Sequence, residues 1–75
     1  MSDTARKLKR VKVMRRDGER CVRCGFFGKE VRLTLDHVVP LSLGGNNELF
    51  NLQLLCDSCN QLKGSGIADY RQVAS

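Results

Sequence analysis

Four cysteines fall into two Cys-x-x-Cys pairs, Cys21/Cys24 and Cys56/Cys59, with 31 residues between the pairs. In a chain of 75 residues no other feature limits the outcome as much. A core of this size is marginal, and domains this small commonly add disulfides or a metal. Two such pairs can present four thiolates to a tetrahedral Zn²⁺. A zinc so held is structural, because four sulfurs leave no open position for water. The rival readings are a pair of disulfides in a secreted domain, or a redox pair. The N-terminus offers no apolar export segment and opens on charged residues, and no run approaches the roughly 18 apolar residues of a membrane span. The expectation is therefore a cytoplasmic chain with reduced cysteines and no membrane association.

Residues 1–17 read as a helix. Ala5, Leu8, Val11 and Met14 recur every three positions and form one apolar stripe, with Asp3 or Thr4 as candidate caps and Asp17-Gly18 as the stop. Residues 31–35 alternate as a short half-buried strand that runs into Asp36-His37 and ends before Pro40. Gly44-Gly45-Asn46-Asn47 is loop chemistry, and residues 52–55 return as a second strand. Ser58-Cys59-Asn60-Gln61 fits a capping box, so a helix is expected from Ser58 to Lys63 with Gly64 as its stop. Residues 18–64 thus form a small α+β unit, and residues 65–75 a tail or short helix.

Charge is concentrated at one end. Residues 1–16 hold seven basic side chains (Arg6, Lys7, Lys9, Arg10, Lys12, Arg15, Arg16) against Asp3, for a net of +6, while the remaining 59 residues carry −1. A polyanion such as nucleic acid is the natural partner of such a segment, although a solvated helix face would look the same.

Asp36 offers a hard oxygen ligand suited to Mg²⁺ or Mn²⁺. His37, the sole histidine, offers a general base near neutral pH, although a histidine at a strand end also serves structure alone. Asn60, beside Cys59, could complete a metal site or serve the helix N-terminus. Lys63 shares its helix face and could touch a phosphate or extend into solvent. Asn51 could tie the loop to the Asp36-His37 backbone or be an ordinary turn residue. Plain strand alternation sends Asp36 and His37 to opposite faces, so a shared site needs the strand to bend or end there.

The run Leu35-Asp36-His37-Val38-Val39-Pro40-Leu41-Ser42-Leu43-Gly44-Gly45, followed by Asn51-Leu52-Gln53-Leu54-Leu55-Cys56-Asp57-Ser58-Cys59-Asn60-Gln61-Leu62-Lys63-Gly64, resembles the HNH endonuclease family over about residues 6–64. The resemblance implies a ββα-metal, treble-clef-like finger and metal-dependent hydrolysis of DNA phosphodiesters to 5′-phosphate and 3′-hydroxyl ends. It assigns Asp36 to the catalytic metal, His37 to the base, and Asn51 to the loop that holds the histidine. Asn60 stands where the family usually has a second histidine, which makes an HNN variant and favours Mg²⁺ or Mn²⁺ over softer ions. It further implies a bacterial or phage origin and leaves open a homodimer or a larger nuclease assembly. The reading that competes with it is a non-catalytic zinc module that binds nucleic acid.

Overall fold

The computed structural model describes residues 2–71. Helix α1 spans Asp3–Asp17. Its cap is Ser2, one position before Asp3 and two before Thr4, the residues expected from the sequence, because the Ser2 hydroxyl accepts the Ala5 N–H at 3.2 Å. Asp3 in the first turn and Arg15 and Arg16 in the last both suit the helix dipole. Gly18, at φ 88°, closes the helix and donates its N–H to the Met14 carbonyl.

The expected stripe is only partly the buried face. Val13 is the fully buried residue of α1, while Leu8 and Val11 are 59% and 41% exposed. A three-residue spacing drifts around a 3.6-residue helix, and only the C-terminal half of α1 packs on the core.

Two antiparallel strands form the sheet, β1 (Leu33–His37) and β2 (Leu52–Cys56). Their register pairs Leu33 with Cys56, Asp36 with Gln53 and His37 with Leu52. β1 starts and ends two residues later than its alternation suggested, so Asp36 and His37 lie within the strand. Pairing in register with β2 sets this boundary, and the ladder is prolonged where Val38 N–H donates to the Asn51 carbonyl at 2.9 Å. All five residues of β2 are buried, so it acts as the central plank.

Helix α2 (Asp57–Lys63) follows β2 without a loop. Its cap is Cys56 and not Ser58: the Cys56 sulfur accepts the Cys59 N–H, so one of the four cysteines itself caps the helix. Gly64 ends it as expected. Two 3₁₀ turns, Leu41–Leu43 and Leu49–Asn51, shape the long connection between the strands. Residues 66–71 form no helix and cross the hairpin as an irregular strap, and residues 72–75, the rest of the expected tail or short helix, lie outside the described residues.

Val13, Val22, Leu33, Leu52, Leu54 and Leu55 bury themselves with three of the cysteines, and Met14, Val31, Leu35 and Tyr70 pack on the rim. Each buried leucine contributes about 1.5–3 kcal/mol. Among the described residues no helix is long and apolar enough to cross a membrane.

Candidate active site and cysteine cluster

The four cysteine sulfurs lie within 4.8 Å of one another. Cys24 and Cys56 are 3.7 Å apart at sulfur, close to the roughly 3.8 Å edge of a ZnS₄ tetrahedron with bonds of about 2.3 Å. The donor set therefore fits a tetrahedral thiolate-bound metal. The first knuckle closes through Gly25 at φ 85°, whose N–H donates to the Cys21 carbonyl, and Cys24 N–H faces the Cys21 sulfur at 3.5 Å. A bond from Val22 N–H to the Leu54 carbonyl ties that knuckle to β2.

The sulfurs are electrostatically unequal. Burial pushes Cys21 up, but the backbone N–H groups of Cys24, Cys56 and Arg23 outweigh it, and its pKa falls to about 6. Burial and the neighbouring sulfurs push Cys59 up to about 12, against the pull of Arg23. The Arg23 guanidinium donates to the Cys59 sulfur at 3.5 Å and lies 5.7 Å from the Tyr70 ring centre.

At the far end of the hairpin a cleft of about 250 Å³ is lined by Asp36, His37, Pro40, Leu41, Lys63 and neighbouring residues. Asp36 and His37 thus border one cavity although they alternate along β1. The His37 ring is held by a residue the sequence reading left as loop filler: Nε2 lies 2.7 Å from Asn47 Oδ1. With oxygen as acceptor, Nε2 carries the proton and Nδ1 keeps its lone pair.

The loop that delivers Asn47 is closely tied. Asn51 is buried; its Oδ1 accepts Val39 N–H at 2.9 Å, and its Nδ2 donates to the carbonyls of Val39 and Asn46. It therefore bonds the segment just past His37 rather than the Asp36-His37 backbone. A Cβ on Gly45 would stand 1.8 Å from the Val39 carbonyl oxygen, so only glycine fits there.

Lys63 departs from its expected place. Its side chain is 1% exposed, and Nζ meets Asp36 Oδ2 at 3.4 Å and the carbonyls of His37 and Gly66 at 3.0 and 2.9 Å. These three oxygens hold Lys63 at the wall of the cleft rather than in open solvent. Asn60, half-buried three positions earlier on α2, does not line the cleft. Sequence reasoning also passed over Gln53, whose Nε2 donates to Asp36 Oδ2 at 2.9 Å. No spacing rule flags it; only the strand register does.

The basic residues of α1 divide. Lys9 donates to the Asn47 carbonyl, and Arg16 to the Leu49 and Leu52 carbonyls, so both brace the loop. Arg6, Lys7 and Arg10 line a second cleft of about 320 Å³ together with Arg32 from the edge of β1. Arg32 is a further cation that the sequence reading took only as the polar partner in an alternating strand. Lys12 and Arg15 are exposed.

A two-stranded hairpin closed by a cysteine knuckle and a short helix, with an acid and a histidine at one strand end, defines a ββα finger of the metal-nuclease type. The comparisons agree. The HNH endonuclease family profile matches residues 21–66. A probable HNH endonuclease of Lactococcus phage SK1 is 41% identical over 59 residues, covering 71% of this chain and 62% of its own length. The crystal structure of the type II-C Cas9 enzyme from Actinomyces naeslundii superposes with a TM-score of 0.65 at 32% identity, over 81% of this chain and 6% of that one. The chain belongs to the HNH endonuclease family, and it spans about 62% of the length of the phage relative.

Proposed function

We propose that this chain is the cutting unit of a metal-dependent endonuclease that hydrolyses DNA phosphodiester bonds. The observation that carries the reading is the shared cleft of Asp36 and His37, with the imidazole oriented by Asn47. His37 Nδ1 takes a proton from water as that water attacks phosphorus, the bond to the 3′ oxygen breaks, and that oxygen takes a proton from solvent water, leaving 5′-phosphate and 3′-hydroxyl ends. Asp36, which lines the cleft, would hold Mg²⁺ or Mn²⁺ there, and Asn60, outside the cleft wall, would have to turn toward it to supply a second oxygen. Gln53 and Lys63 both engage Oδ2 of Asp36, which leaves Oδ1 without a partner among the described residues. When bound, such an ion stabilises charge on the attacked phosphate and on the leaving oxygen. The cysteine cluster holds a structural Zn²⁺ away from this chemistry. Arg6, Lys7, Arg10 and Arg32 supply sequence-independent phosphate affinity, with Lys12 and Arg15 adding to the field.

One observation favours a non-catalytic nucleic-acid-binding module instead: Asn60 lies outside the cleft wall. Plasmid nicking separates the two readings. Purified zinc-loaded protein should nick supercoiled DNA with Mn²⁺ or Mg²⁺, and His37→Ala should lower the rate at least about 100-fold while DNA binding persists. Equal cutting by His37→Ala, or none by the wild type, defeats the nuclease reading.

A further inference from the structure

Gln53 sits in the middle of β2 between Leu52 and Leu54 and is 0% exposed. Its neighbours along the strand are apolar, while its own side chain faces Asp36 and the backbone at Ala68 and Tyr70. The amide is fully used. Nε2 donates to Asp36 Oδ2 and to the Ala68 carbonyl, both at 2.9 Å, and Oε1 accepts the Tyr70 N–H at 3.0 Å. The register sets Gln53 directly opposite Asp36.

One planar group therefore holds a carboxylate on one side and the strap on the other. The strap returns the connection twice more. Its Gly66 carbonyl accepts from Lys63 Nζ, the ammonium beside Asp36, and its Ala68 N–H donates to the carbonyl of Val38, next to His37. Residues 67–71 of the strap lie beyond the family match at 21–66.

We propose that Gln53 is a positioning residue for the catalytic metal: its buried amide fixes the Asp36 carboxylate and couples that carboxylate to the strap at Ala68 and Tyr70. This rests on the reading of Asp36 as a ligand of a divalent ion. Held through Oδ2, the carboxylate presents Oδ1 in one direction. Without the amide, Lys63 is its remaining partner among the described residues, at 3.4 Å from Oδ2 alone. Groups that orient a metal ligand in this way change metal affinity by about 10–100-fold. Coupling is reciprocal, so the ion should also steady the strap.

The test uses the full zinc-loaded chain, with Mn²⁺ as the probe. Gln53→Met removes the amide at similar length, and Gln53→Asn keeps an amide but retracts it. Calorimetric titration should show Mn²⁺ affinity about 10–100-fold weaker in each, with zinc content unchanged. In the wild type, Mn²⁺ should slow hydrogen exchange at the Tyr70 amide; in the variants it should not. Unchanged Mn²⁺ affinity in either zinc-retaining variant overturns the proposal alone. Loss of zinc from both variants also overturns it, since Gln53 would then serve the core only. A wild type that binds no Mn²⁺ and cuts no DNA removes the nuclease reading and this inference together, whereas Asp36→Asn that binds Mn²⁺ as well as wild type removes the ligand on which the inference rests.

Discussion

Asn51 is buried, and all of its side-chain bonds go to the backbone of the loop it closes. Replacing it with alanine strands the Val39 N–H and the carbonyls of Val39 and Asn46. Each such orphan costs about 1–3 kcal/mol where water cannot reach it. Asn51→Ala should therefore lower unfolding free energy by at least about 1–3 kcal/mol in a denaturant titration, and the loop carrying Asn47 should lose its hold on His37. A stability within error of wild type would show that water repairs the site. At this scale the sequence is readable where residue type alone limits the role. His37 is the sole histidine, and Asp36 beside it is a carboxylate at a strand end. Asn47 and Gln53 are unreadable for the opposite reason: an amide has no role until a partner is brought to it. Asn47 acquires His37 through a loop whose path depends on Gly45, and Gln53 acquires Asp36 through strand register.

Elements show the same division. The cysteine spacing announces both knuckles, and Gly18 and Gly64 mark both helix ends. The limits of β1 are hidden, because they are set by pairing with β2 rather than by alternation within residues 31–35. The burial of α1 is hidden too, since nothing local reveals that only the half bearing Val13 meets the hairpin. The strap is the least legible element: its conformation is dictated by Gln53, Val38 and the carbonyls that Arg71 reaches at Phe50 and Leu52. A prediction belongs to the pair α1 and β1, whose facing surfaces gather Arg6, Lys7, Arg10 and Arg32. If these cations meet the DNA backbone, the double variant Arg10→Ala/Arg32→Ala should reduce the slope of log affinity against log salt by about 2, with little change between DNA sequences. An unchanged slope would place the DNA elsewhere.

For the molecule as a whole, the core is small, and domains of this size commonly gain much of their stability from a metal. Zinc bound to thiolates contributes apparent free energies of about 10–16 kcal/mol near neutral pH, comparable with the whole stability of an ordinary domain. A strong chelator should therefore abolish the cooperative thermal transition, and added zinc should restore it; a chelated protein that melts unchanged would deny the metal its structural role. The sulfur environments set how protonation competes with folding and with metal binding. Cys21, lowered from 9.0 to about 6, stabilises the fold fully above its unfolded value, and that contribution is lost as pH falls through about 6. Cys59, raised from 9.0 to about 12, contributes below its unfolded value and loses that contribution as pH rises through about 12. Zinc must displace the Cys59 proton on binding, so its affinity should rise with pH and the ion should leave on acidification. A zinc-sensitive dye in a pH titration reads this directly, and acid-independent retention would contradict it.

The two-stranded sheet has one further consequence. β2 is flanked by β1 on one side, and its Leu54 carbonyl accepts Val22 N–H from the knuckle. Among the described residues, the outer edge of β1 has no strand partner. An unpaired edge invites a strand from another molecule and is a common starting point for aggregation. Here that edge borders the cleft of Arg6, Lys7, Arg10 and Arg32. A second copy approaching edge to edge would bring an identical set of cations against it. The charge proposed to meet a polyanion would thus also repel a like molecule at this edge.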